Sequence, residues 1–135
     1  MVFEETFKGE MKTQIQNLFK WKFIHDLPIT LNDNKDVFIE YVRLKNKGFG
    51  KGESACMAYC KYHKDVVASS NLKDIKNYCL QNNITYLTTM DFLEKALQNQ
   101  IMTYQECDNF INDVRTKGSK LPNKSMADYA KRRQK

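Results

Sequence analysis

Apolar residues at Phe7, Met11, Ile15, Leu18 and Phe19 recur at intervals of three and four, the spacing of one face of a helix. The pattern predicts a first helix from Glu5 to about Trp21. Phe23 to Ile29 reads as a short extended segment, with Pro28 near its end, where a missing amide harms a ladder least. A second helix follows, with Asn32, Asp33 and Asp36 as cap and first-turn acids and Val37, Phe38, Tyr41 and Val42 on one face. Gly48, Gly50 and Gly52 break it, and a third helix opens at Gly52 or Glu53 and runs to about His63. Val66 to Ala68 is a short continuous apolar run, the signature of a strand covered on both faces.

The alternation then repeats. Asn71 starts a helix with Leu72, Ile75, Tyr78 and Cys79 inward, and the Asn82-Asn83 pair ends it. Ile84 to Leu87 reads as the next buried strand, and Thr89 opens a helix through Leu93 and Leu97. Thr103 and Glu106 form a capping box for another helix through Cys107, Phe110, Ile111 and Val114. A loop over Gly118 to Asn123 leads to a weak terminal helix. Strand and helix alternating over the middle of the chain predict an α/β fold, a small parallel sheet flanked by helices. The expected organisation is one domain over residues 1–120 and a basic segment over 121–135.

Composition narrows the classes. With 135 residues, 41% of them hydrophobic and only two prolines, the bulk of the chain is not of the disordered type. The longest unbroken apolar run, Ala55 to Cys60, falls far short of the roughly 18 residues that a membrane helix needs. The opening stretch mixes acids and bases without an apolar core, so it is not read as a secretory signal, and a cytoplasmic location is expected. Four cysteines then read as reduced thiols. The formal net charge of +6 is concentrated at the end: Arg115 to Lys135 holds eight Lys or Arg against Asp128 alone. Within the rest, Arg43, Lys45, Lys47 and Lys51 lie in a run without an acid and are candidates for holding phosphates.

In a parallel α/β unit, strands end and the following helices begin at one edge of the sheet, where such folds place ligands. That rule selects Glu53, in the first turn of the third helix, and Asn71 with Asp74, in the first turn of the next. Two acids and an amide oxygen can hold a hard divalent cation such as Mg²⁺, which activates water for attack on a phosphodiester. The competing reading is structural: first-turn acids suit the helix dipole, and Asn71 with Asp74 has the spacing of an ordinary capping pair. Cys56 and Cys60 share a helix face without a second pair to complete a zinc site, and His25 and His63 lack a nucleophile partner. Glu53 also stands where a phosphate loop would carry a lysine.

The stretch Gly50-Lys51-Gly52-Glu53-Ser54-Ala55, followed by Val67-Ala68-Ser69-Ser70-Asn71-Leu72-Lys73-Asp74-Ile75, resembles the C-terminal two thirds of a PIN-like domain. These are metal-dependent ribonucleases that include toxins of toxin-antitoxin pairs. The likeness extends through Ile84-Thr85-Tyr86-Leu87-Thr88-Thr89 and covers roughly Phe3 to Leu121, with Ser69 where the family pattern has Thr. It implies Glu53 and Asp74 as metal ligands, Asn71 in support, and Glu5 as a poorer match to the acid of an early helix. The implied cofactor is Mg²⁺ or Mn²⁺, and the implied partners are RNA, an antitoxin-like protein and a second copy of the chain. The family's first strand and its Asp have no counterpart after Met1, so an internal start or a split product is expected, or a dimer that fills the gap. The alternative expectation is a catalytically defective remnant that binds nucleic acid or protein, and a third is a structural adaptor.

Overall fold

The computed structural model describes residues 9–27, 29–69 and 71–134, apart from the side chain of Leu72. It is a mixed α/β structure, mostly helical, with a two-stranded parallel sheet. The chain divides into two compact units, Met1–Asp65 and Val66–Lys135. This boundary falls inside the span that the sequence pattern reads as one domain.

The first unit holds α1 (Gly9–Lys20), α2 (Lys35–Asn46) and α3 (Lys51–His63). Helices α2 and α3 pack on each other through Val37 and Leu44 from one and Met57, Ala58 and Cys60 from the other, all buried. They run antiparallel, since Asn34 at the start of α2 meets His63 at the end of α3 with 3.1 Å between Nδ2 and Nε2. The His63 ring also stacks on Tyr59, centroids 4.1 Å apart. Glu40 is buried in this interface, where it pairs with Arg43 one turn along α2 and with Lys61 of α3 at 3.3 Å.

The extended segment expected over Phe23 to Ile29 is not a strand in its described residues. The reason lies in how α1 ends. Lys22 takes a left-handed conformation at φ 61°, and the amides of Phe23 and Ile24 donate back to the Leu18 carbonyl instead of facing a neighbouring strand. The same closing device ends all six helices from α1 to α6. It uses Gly48, Gly118 and Asn83 of the Asn82-Asn83 pair as expected, but also Lys22, Lys64 and Gln100.

The second unit opens with β1 (Val67–Ala68), α4 (Leu72–Gln81) and β2 (Tyr86–Leu87). The strands pair in parallel, Val67 with Tyr86 and Ala68 with Leu87, so α4 is the crossover of a βαβ unit. Val67, Ile75, Tyr78, Cys79 and Ile84 are buried. The strands are shorter than the pattern predicts and less covered: Val66 and Ala68 are exposed, and Tyr86 and Leu87 half-buried. Each strand has a single paired neighbour among the described residues, too few to enclose both faces.

Helices α5 (Thr89–Gln98), α6 (Tyr104–Thr116) and α7 (Met126–Arg133) complete the unit. Met90, Leu93, Cys107, Ile111 and Met126 form their shared core, with Leu97, Met102 and Tyr129 against it. Thr88 caps α5, Thr103 caps α6 and Ser125 caps α7, each through its hydroxyl. The basic segment after residue 120 is therefore built into this core. Leu121 and Asn123 are also buried, and the Met126 amide donates to Asp108 at 2.8 Å. No helix among the described residues is long and apolar enough to cross a membrane.

Candidate functional site

Because β1 and β2 are parallel, the caps of α4 and α5 both follow the carboxyl ends of their strands and lie at one edge of the sheet. The two caps are built differently. At α5 the arrangement is a reciprocal box: the Asp91 amide donates to the Thr88 hydroxyl at 3.3 Å, while Asp91 Oδ2 accepts from the Thr88 amide at 2.7 Å and its hydroxyl at 2.8 Å. Asp91 Oδ1 accepts from the Tyr129 hydroxyl. Burial works to raise the Asp91 pKa, but the hydrogen bonds from Tyr129 and Thr88 and the charge of Arg133 outweigh it and hold the carboxyl below its usual range. Burial and the same Asp91 contact push Tyr129 up to about 12.

At α4 the cap residue Asn71 makes no side-chain cap bond to the helix. Its amide Nδ2 instead donates to Asp74 Oδ2 at 2.7 Å, and its backbone amide donates to the Ser69 hydroxyl at 3.0 Å. Asn71 and Asp74 are both exposed. The expected spacing of a capping pair is thus present without the capping bond, and an amide group and a carboxylate are held side by side at the carboxyl end of β1. Both groups offer hard oxygen donors, the chemistry that Mg²⁺ and Mn²⁺ prefer, and Mg²⁺ is commonly held by only one or two carboxylates with waters. Among the described residues, no group of three or more His, Cys, Asp and Glu side chains gathers as a metal cluster.

Glu53 belongs to the first unit, in the first turn of α3, where its Oε2 accepts from the Gly50 amide at 3.3 Å. A Cβ added at Gly50 would lie 3.1 Å from that oxygen, so glycine lets the carboxylate approach the backbone. Beside it, Ser54 is fully buried, and its hydroxyl has no hydrogen-bond partner among the described residues. Glu5 lies outside the described residues.

The basic run is divided. Arg43 is committed to Glu40, with Nε 2.8 Å from Oε2, while Lys45 lies half-buried in the last turn of α2. Lys47 and Lys51 are exposed on the two sides of the turn into α3. The i, i+3 spacing of Glu40 and Arg43 allows this pair, whereas the contact with Lys61 and the burial of Glu40 come from the pairing of two helices. None of the four cysteines is in a disulfide, and Cys60, Cys79 and Cys107 are buried. Burial raises the Cys79 and Cys107 thiols, which keeps them protonated and poorly nucleophilic.

Tyr129 is the contact that sequence reading misses, since it sits on a terminal helix with a weak pattern, 38 positions from Asp91. The only signal is its spacing from Met126, which places both on one face. Comparisons of the chain with protein-family models, with curated proteins and with solved structures gave no match.

Proposed function

We propose that the chain is a PIN-like, divalent-metal-dependent endoribonuclease domain, with Asp74 and Asn71 as metal-site residues at the sheet edge of the second unit. The observation that carries this reading is the Asn71–Asp74 contact of 2.7 Å at the carboxyl end of β1, in place of the expected cap bond. The Asn71 amide orients the Asp74 carboxylate, and the edge of a parallel sheet is where α/β folds bind ligands. Mg²⁺ or Mn²⁺ would supply there an activated water and a positive charge against the phosphodiester. The resemblance in sequence gives Glu53, in the first unit, a metal-ligand role as well, and Lys47 and Lys51 lie exposed there as candidates for contact with RNA phosphates. A toxin-like role with a protein partner belongs to the same reading.

The test is cleavage of single-stranded RNA by the full chain with Mg²⁺ or Mn²⁺. The reading expects cleavage that chelator stops, and that Asp74→Asn and Glu53→Gln each reduce at least a hundredfold while far-UV circular dichroism stays unchanged. A chain that leaves RNA intact with either ion contradicts it.

A second reading, a non-catalytic nucleic-acid-binding module, draws on the terminal segment. Arg132 and Arg133 are tied to Asp128 and Glu94, whereas Lys120, Lys124 and Lys131 are exposed around them. Affinity for RNA that falls steeply with salt, without cleavage, is its expected result.

A further inference from the structure

Ser69 is the residue after β1, and the ladder still holds it: its amide donates to the Leu87 carbonyl of β2 at 3.0 Å. Its hydroxyl accepts from the Asn71 backbone amide at 3.0 Å, a local side-chain-to-backbone bond of the kind that competes with helix capping. The sheet thus reaches through one serine to the residue that starts α4.

The other helix starts of this unit show what that bond changes. Thr88 and Thr103 stand at ψ 169° and 165°, and each hydroxyl accepts from the amide of the acid three residues on. Their own backbone amides donate back to that acid, Thr88 to Asp91 and Thr103 to Glu106, both at 2.7 Å. The reciprocal box locks the carboxylate against the helix end. At α4 the acid in the same position is Asp74, but the Asn71 amide is engaged by Ser69. Asn71 stands at ψ 68° without a side-chain cap bond, and its Nδ2 lies 2.7 Å from Asp74 Oδ2.

We propose that Ser69 is a positioning residue: by taking the Asn71 amide it keeps Asp74 out of a capping box and leaves the carboxylate to the Asn71 side chain. Its consequence for Mg²⁺ or Mn²⁺ rests on the reading of Asn71 and Asp74 as metal-site residues. The test compares Ser69→Ala and Ser69→Thr in the full chain by NMR, first without metal. Asp74→Ala supplies the reference, since it removes the carboxylate from the Asn71 side-chain amide. Ser69→Ala is expected to move the Asn71 side-chain amide signals to their Asp74→Ala positions and to weaken Mn²⁺ binding at Asp74 about fivefold or more, as the loss of an outer partner of a metal ligand does. Ser69→Thr keeps the hydroxyl and is expected to match the wild type in both. A serine with a merely structural role would change the unfolding midpoint and leave the Asn71 signals in place. Asn71 side-chain signals that stay at wild-type positions in Ser69→Ala, or that Ser69→Thr does not preserve, overturn the proposal. A wild type that binds no Mn²⁺ near Asp74 sinks the metal reading alone, and the Asn71 signals still decide the role of Ser69.

Discussion

The Tyr129 hydroxyl donates to Asp91 Oδ1, tying the last helix of the second unit to the acid of the capping box that starts α5. Arg133 reinforces the tie through Glu94, one turn further along each helix. Tyr129→Phe removes one hydrogen bond to a charged acceptor, and the expected loss is about 1.5 kcal/mol in urea unfolding. The pH dependence follows from the shifted groups. Asp91 has a lowered pKa, so its contribution is complete above the ordinary carboxylate range and is lost as pH falls through the lowered value. Tyr129 is raised to about 12, so its contribution holds below the ordinary tyrosine value and is lost as pH rises through about 12. The stability difference between the wild type and Tyr129→Phe is therefore flat around neutral pH and shrinks at both extremes. A difference that does not change in acid would show that the tie does not depend on the charge of Asp91.

Left-handed helix ends give a second expectation. Lys64 and Gln100 hold φ of 53° and 57°, a region where a Cβ is strained and glycine is not. Lys64→Gly and Gln100→Gly are each expected to stabilise the fold by about 1 kcal/mol, and Gly118→Ala to destabilise it by a similar amount. Chemical denaturation of the three variants checks the sign at each site.

Ser54 supplies a test of the α2–α3 packing. Its hydroxyl is buried without a partner among the described residues, a state that costs about 1 kcal/mol or more relative to an apolar group of similar size. Ser54→Ala is expected to raise the urea midpoint. A fall would mean that the hydroxyl is hydrogen-bonded in solution.

Glu40 acts in the opposite sense. It is buried between Arg43 and Lys61, whose side chains are 43% and 29% exposed and can regain water. Glu40→Ala is expected to cost about 2 kcal/mol, less than breaking a fully enclosed pair. Thermal unfolding at low and high salt separates this from packing, since the loss shrinks as salt screens the wild-type contacts.

Much of the helical framework is readable from local signals. Asn71 ahead of α4 and the Thr103–Glu106 box each mark a helix start that the structure reproduces, and α3, expected to open at Gly52 or Glu53, opens at Lys51 with Gly50 as its cap. Helix ends are legible only where the chain uses glycine or asparagine, because Lys22, Lys64 and Gln100 carry no sequence mark of a left-handed bend. For the same reason Phe23 to Ile29 passes for a strand. The strands are legible as apolar runs but not in length, since pairing rather than composition sets where a ladder stops. Of the candidate site, the spacing identifies Asn71 and Asp74 as partners but gives the wrong bond between them: a cap is expected, and an amide-to-carboxylate contact is found. Tyr129 stays hidden because its partner comes from another helix, and so does the Lys61 contact of Glu40, whereas the pair with Arg43 lies within α2.

The most direct measurement is a Mn²⁺ titration followed by two-dimensional NMR of the backbone amides, with RNA absent. The account predicts paramagnetic broadening centred on Asn71 and Asp74 at substoichiometric ion, competed by Mg²⁺ and abolished by Asp74→Asn. Broadening spread over the surface acids, with the Asn71 and Asp74 signals no more affected than those of Asp113 or Glu10, would contradict it.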